Sequence, residues 1–107
     1  MESREIARLK RNLTYENLWM YILKTLKDGE KHAYALQAEI NSRYGFLPGR
    51  ITIYKVLYLL QKHNFVSSHK GKENGRERRY YNLTSRAATE LSKAVAVMKE
   101  ISGKVGP

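Results

Sequence analysis

The sequence predicts a mainly α-helical domain with one small β-hairpin, an α+β fold. Three observations predict it. Apolar residues recur at helical spacing in four successive segments before residue 64, two short strand-like segments then flank a polar, glycine-containing turn, and one further helical segment follows. A length of 107 residues fits a single domain with a modest core.

The four N-terminal helices are placed by their apolar stripes and by the residues that cap them. Ser3 is the expected N-cap of the first helix, Asp28-Gly29 ends the second, and Gly49 is the expected N-cap of the fourth. The fourth helix buries Ile53, Val56, Leu57 and Leu60 and ends near His63. The first three helices are expected over residues 3–13, 15–27 and 32–43.

The C-terminal part begins with strands expected at residues 65–70 and 78–83, joined by a turn over 71–77. Thr84 is the expected N-cap of a last helix that reaches about residue 102. Three helices followed by a hairpin form a winged helix-turn-helix, in which the fourth helix is the recognition helix and the hairpin is the wing. The chain then divides into an N-terminal helix (1–13), a winged helix-turn-helix domain (14–84), and a C-terminal dimerisation helix with a frayed end (85–107).

Composition narrows the class of partner. Twenty Lys and Arg against ten Asp and Glu give a formal charge of +10, which suits nucleic acid or an acidic membrane surface. No cysteine, phosphate-binding glycine loop or catalytic carboxylate pair occurs, so we expect neither an enzyme nor a cofactor. His32, His63 and His69 lie on separate elements, so no metal is expected. With no signal peptide and no membrane span, a cytoplasmic, nucleoid-associated protein is expected.

Two clusters of side chains are candidates for binding double-stranded DNA, through phosphates and base edges. On the recognition helix, Ile51 lies on the face away from the core, together with the contact candidates Arg50, Thr52, Tyr54, Lys55 and Tyr58. The wing contributes Lys70, Lys72, Arg76, Arg78 and Arg79. Lys31 and His32, at the start of the third helix, are candidates for a phosphate.

Each cluster also has a purely structural interpretation. Tyr54 and Tyr58 would then only cover the core beside the wing. Arg79 and Tyr80 would point inward, because successive strand residues face opposite sides of a sheet.

The last helix carries a heptad-like apolar seam that favours a homodimer. Its residues are Ala87, Leu91, Ala94, Val95, Met98 and Ile101, and Ile6 and Leu9 of the first helix are expected to join them. Alternatively, the seam packs back on its own domain. A two-fold dimer would hold its recognition helices about 34 Å apart and select an inverted repeat.

Several segments resemble the PadR-like family of winged-helix transcriptional regulators. They are Thr52-Ile53-Tyr54, the run from Gly75 to Thr84, and more weakly the run from His32 to Leu36. Family members usually have Pro in place of Lys55 and Gly in place of Ile51 and Ala33, so the chain resembles a divergent member. The resemblance implies a dimeric repressor, and a small aromatic effector at the dimer interface that Trp19 or Met98 would line, although both residues more often belong to a core.

The leading hypothesis is therefore a sequence-specific transcriptional regulator, a repressor acting as a homodimer on an inverted-repeat operator. A second hypothesis is an architectural protein that coats DNA through charge alone. A third is a module whose winged helix binds another polypeptide.

Overall fold

The computed structural model describes residues 1–107 and contains five α-helices and one three-stranded antiparallel sheet. The mainly helical winged-helix fold is confirmed. The helices are α1 (Arg4–Leu13), α2 (Leu18–Leu26, preceded by a 3₁₀ turn at Tyr15–Asn17), α3 (Ala33–Tyr44), α4 (Arg50–Lys62) and α5 (Ala87–Val105). The strands are β1 (Lys31–His32), β2 (Val66–Glu73) and β3 (Arg76–Leu83).

The core lies where α2, α3 and α4 meet. Its largest fully buried side chains are the leucines and isoleucines that the helical periodicity selects, among them Ile22, Leu36 and Leu57. Val66 and Tyr81 close this core from the sheet, and Ala87 closes it from α5. Because one face of α4 is buried in the core, the opposite face of this helix points into solvent.

The sheet is larger than the expected hairpin, because β1 pairs with β3 and gives the strand order β1-β3-β2. The long turn expected over residues 71–77 is wrong, since β2 and β3 extend to Glu73 and Arg76. Only Asn74 and Gly75 turn the chain, with φ angles of 53° and 75°. This two-residue turn is the kind that matches the twist of antiparallel strands.

The predicted helix caps are confirmed at two positions and wrong at a third. Ser3 Oγ accepts a hydrogen bond from the Ile6 backbone N–H (3.1 Å), and Gly49 precedes α4. Thr84 does not cap α5, which begins later, at Ala87. Its hydroxyl instead donates to the Asn64 carbonyl oxygen at 2.6 Å, which fastens the end of β3 to the end of α4.

Two helical segments extend beyond the core. Helix α1 has no buried residue, and α5 is largely exposed from Val95 onward. The radius of gyration is 15.3 Å, compared with about 13 Å for a compact domain of this length. No helix has both the length and the hydrophobicity that a membrane crossing requires.

Candidate nucleic-acid interface

The solvent face of α4 is formed by four residues spaced i, i+3, i+4 and i+7, which places them on one side of the helix. They are Ile51, Tyr54, Lys55 and Tyr58, and all four are exposed. Thr52 is also exposed, but it follows Ile51 directly and so points about 100° away around the helix. The face therefore combines one cation, two phenols and one aliphatic side chain.

A recess of about 370 Å³ lies between the start of α3, the start of α4 and the wing. It is lined by Tyr34, Arg50, Tyr54, Arg76 and Arg78. The guanidinium carbons of Arg50 and Arg78 lie 5.6 and 6.0 Å from the centre of the Tyr34 ring, which is within cation–π range. We call this site the arginine recess.

The arginine recess is not neutralised within the chain. None of its three guanidinium groups forms an ion pair with a carboxylate. The Nε atom of the half-buried Arg78 also lacks any hydrogen-bond partner. Three like charges around one recess repel each other, so the arrangement favours an anion with several acceptor oxygens.

The five cations of the wing are divided between its two faces. Cross-strand partners share a face, so Arg76 and Arg78 lie on the side of Glu73 and Gly71, from which they line the arginine recess. Lys70, Lys72 and Arg79 lie on the opposite side, which nearer the domain carries the core residues Val66 and Tyr81. There the Lys70 ammonium lies 3.6 Å from a Glu77 carboxylate oxygen. Arg79 Nη1 donates to Ser68 Oγ at 3.1 Å.

Lys31 and His32 have structural contacts that leave little surface for a phosphate. The Lys31 ammonium lies 3.2 Å from a Glu39 carboxylate oxygen, and His32 is only 8% exposed. His32 Nδ1 accepts a hydrogen bond from the Ala35 N–H and caps α3 (3.1 Å). The proton is therefore on Nε2, which donates to Glu73 at 3.0 Å.

A second histidine ties the wing to the turn after α2. His69 Nε2 lies 3.0 Å from Glu30 Oε1, and its Nδ1 lies 3.1 Å from the Lys70 carbonyl oxygen. Both ring nitrogens thus face acceptors, which favours the doubly protonated ring. The pKa of His69 is raised, mainly by the Glu30 hydrogen bond and then by the Lys70 carbonyl. His69 also stacks on Tyr80, with ring centres 5.8 Å apart.

The predicted dimer residues fall into three groups. Ala87 is 1% exposed and belongs to the core of its own domain, so its assignment to a dimer interface is wrong. Leu91 and Ala94 are half-buried, on the stretch of α5 that packs beside α2. The exposed members are Val95, Met98, Ile101, Ile6 and Leu9.

Sequence reasoning missed two residues that organise this surface, Tyr34 and Glu73. Tyr34 is 54% exposed and adjoins the buried Ala33 at the start of α3. Two signals pointed to it: Tyr34 is an aromatic residue off the core stripe of its helix, and it lies within the run from His32 to Leu36 that resembles the family. No sequence signal pointed to Glu73, because its contact with His32 joins residues that are 41 positions apart.

Three packed helices followed by a β-hairpin, with α4 and the hairpin meeting at a cationic recess, define a winged-helix protein. Sequence comparison places the chain within that class. Residues 22–93 match the transcriptional regulator PadR-like family. The chain therefore belongs to this family of transcriptional regulators, as the resemblance indicated. No curated protein sequence matches it.

Solved structures share the fold. A PadR family transcriptional regulator from Eggerthella lenta aligns with a TM-score of 0.81 and 21% identity, over 94% of this chain and 88% of that one. A putative transcriptional regulator from Thermoplasma acidophilum aligns with a TM-score of 0.70 and 25% identity, over 92% of this chain and 94% of that one. Bacillus subtilis PadR, solved in complex with operator DNA, aligns with a TM-score of 0.67 and 23% identity, over 73% of this chain and 46% of that one.

Proposed function

We propose that this protein is a sequence-specific DNA-binding transcriptional regulator that acts as a homodimeric repressor on an inverted-repeat operator. The arginine recess is the observation that carries the proposal. Its three guanidinium groups have no carboxylate partner and converge between the wing and α4. A DNA phosphate supplies the charge and the acceptor oxygens that such a site lacks.

The proposal assigns different tasks to the two parts of the surface. Arg76 and Arg78 would hold the sugar-phosphate backbone beside the wing, while α4 enters the major groove with Arg50, Tyr54, Lys55 and Tyr58. Thr52 would bond a phosphate from the flank of α4. The remaining wing cations, Lys70, Lys72 and Arg79, would add to the positive field from the other face of the hairpin. The relative from Bacillus subtilis was solved with operator DNA, which supports DNA as the partner.

A second copy of the chain is the proposed partner of α1 and distal α5. Helix α1 is ten residues long, and its apolar side chains Ile6 and Leu9 are about half exposed. An isolated helix of that length is marginal in water, so this stripe needs a partner. On α5, Val95, Met98 and Ile101 are exposed in the same way. A two-fold pairing of these helices would place two copies of α4 against one inverted repeat.

Dimerisation is tested by sedimentation equilibrium of the wild type and of Ile101→Asp. A carboxylate buried in an apolar interface is costly, so the variant should sediment as a monomer. Lys99→Asp, at an exposed position of the same helix that lies off the seam, is the control and should remain dimeric. A monomeric wild type would contradict this part of the proposal.

Selection from random DNA followed by gel shift tests the proposed function. An enriched inverted repeat supports it, and the double variant Arg50→Ala/Arg76→Ala should lose retention at moderate salt. Binding without enrichment would favour the architectural hypothesis, which predicts only a steep salt dependence. Wild-type-like retention by the double variant would instead favour a module that binds another polypeptide.

Two further expectations belong to the same proposal. A small aromatic effector would bind beside α5, where Met98 lines grooves of about 490 and 410 Å³ and Trp19 lines the second of these. The protein itself would be found with the nucleoid in the cytoplasm, and it would act without catalysis.

A further inference from the structure

Ile51 is the least expected residue on the solvent face of α4. Its side chain is 73% exposed, more than that of any other large apolar residue of this helix. The core stripe of Ile53, Leu57 and Leu60 lies on the opposite side, so no repacking of the domain would cover Ile51. Exposing an aliphatic side chain of this size does not stabilise the fold. We therefore ask which partner would cover it.

The position of Ile51 limits what that partner is. It is the second residue of α4, in the first turn, which is the part of a recognition helix that meets base edges. Arg50 precedes it and Lys55 lies one turn further along the same side. Ile51 is part of a mainly apolar surface patch that also includes Tyr54, Lys55, Tyr58 and Leu59. Tyr54 joins this apolar patch to the arginine recess, since it lines both. An apolar group surrounded by cations fits a polyanion that itself carries apolar groups.

The major groove of DNA has such a group on one base only. Thymine presents its C5-methyl there, whereas cytosine, adenine and guanine present hydrogen-bonding groups and no methyl. We propose that Ile51 reads thymine, by packing its aliphatic side chain against a C5-methyl in each operator half-site. This assignment rests on the proposed function and extends it to the base that one side chain recognises.

A polypeptide partner is the other candidate to cover Ile51. It would have to accept Arg50, Lys55 and the arginine recess at the same time, and would therefore need a dense array of carboxylates next to an apolar pocket. DNA meets both requirements with one regular surface, because phosphates line the groove in which the methyl groups lie. We therefore assign the patch to DNA and leave the polypeptide as an outcome of the test.

The test removes only the methyl group. The full-length protein first selects its operator from random DNA, and each thymine in a half-site is then replaced by deoxyuridine, which keeps every hydrogen-bonding group. At one position or more, wild-type affinity should fall about fourfold per lost methyl contact. Ile51→Ala should bind thymine and uracil DNA within a factor of two at that position. Ile51→Val, which keeps two methyl groups, should still discriminate.

Leu59→Ala is the matched control, because Leu59 is an exposed apolar residue of the same helix that lies about 12 Å further along the helix axis than Ile51, away from the first turn. This variant should show the full wild-type preference for thymine.

Equal wild-type affinity for thymine and uracil at every position would overturn the assignment. So would an unchanged preference in Ile51→Ala, because another side chain would then read the methyl. If, in addition, Ile51→Ala binds thymine DNA with wild-type affinity, Ile51 makes no contact with DNA and the patch is left for a polypeptide. A selection that enriches no sequence fails at the earlier step and overturns the proposed function itself.

Discussion

Replacing Arg76 by alanine should make DNA binding less sensitive to salt. Each phosphate that a protein neutralises contributes about 0.9 to the slope of log K against log salt concentration. Arg76 has no carboxylate partner and lines the arginine recess, so a homodimer should lose one such contact per subunit. The slope should therefore become shallower by about 1.8. Over a fourfold rise in salt, from 50 to 200 mM, the ratio of wild-type to variant affinity should fall about twelvefold.

Lys72→Ala provides the control for this measurement. It also removes one positive charge from the wing, so the long-range field changes equally. Lys72 however lies on the other face of the hairpin, across from Glu77, and does not line the arginine recess. Its effect on the slope should be less than half that of Arg76→Ala. Fluorescence anisotropy with a labelled operator, in potassium chloride from 50 to 200 mM, measures both slopes. Equal slopes for the two variants would refute the assignment of the phosphate contact to the arginine recess.

Two predictions concern the fold beneath the wing. A methyl group at Gly71 would lie 2.8 Å from Cε2 of the Tyr80 ring, so Gly71→Ala should destabilise the domain by about 1–3 kcal/mol in thermal unfolding. Gly103→Ala is the control and should not destabilise the domain, because its new methyl group meets nothing within 4 Å. His69 has a pKa raised above its unfolded value by its hydrogen bond to Glu30. Its stabilisation is therefore complete below about pH 6.5 and is lost as pH rises through the folded pKa. Glu30→Gln should lower the Tm mainly at the acidic end of a pH 5.5 to 8.5 series, and a constant difference across that series would contradict the assignment.

Local periodicity predicted the helices and the core, because side chains such as Ile53 and Leu57 repeat at the spacing of one helical face. Strand β1 was missed, because two residues are too few to show an alternating pattern. The seam of α5 was read correctly as apolar. Its first member, Ala87, was nevertheless assigned to the wrong partner, since a heptad does not show whether its own core or a second chain covers it.

The candidate site was predicted less completely than the fold, for a physical reason. The cations of α4 and of the wing were visible as charges, but Arg50 and Arg78 are brought together at the ring of Tyr34, and neither arginine is near Tyr34 in the sequence. The division of the wing into two faces depends on strand register. Because the turn was expected over residues 71–77, the pairing of residues 71–73 with residues 76–78 was not predicted.

The side of the wing that carries its recess arginines is also tied to His32 at the start of α3. A two-stranded hairpin alone is marginal in water, but here β1 adds a third strand and Tyr80 packs against the rings of both His32 and His69. Glu73, immediately before the turn, is hydrogen-bonded to His32 at the start of α3. These contacts lie on the face of the hairpin that carries Arg76, so the strand that carries this residue is positioned relative to α4 before any ligand arrives. A phosphate bound there and a base edge met by α4 would then be engaged in one register, and the cost of ordering the wing would not be deducted from the free energy of binding.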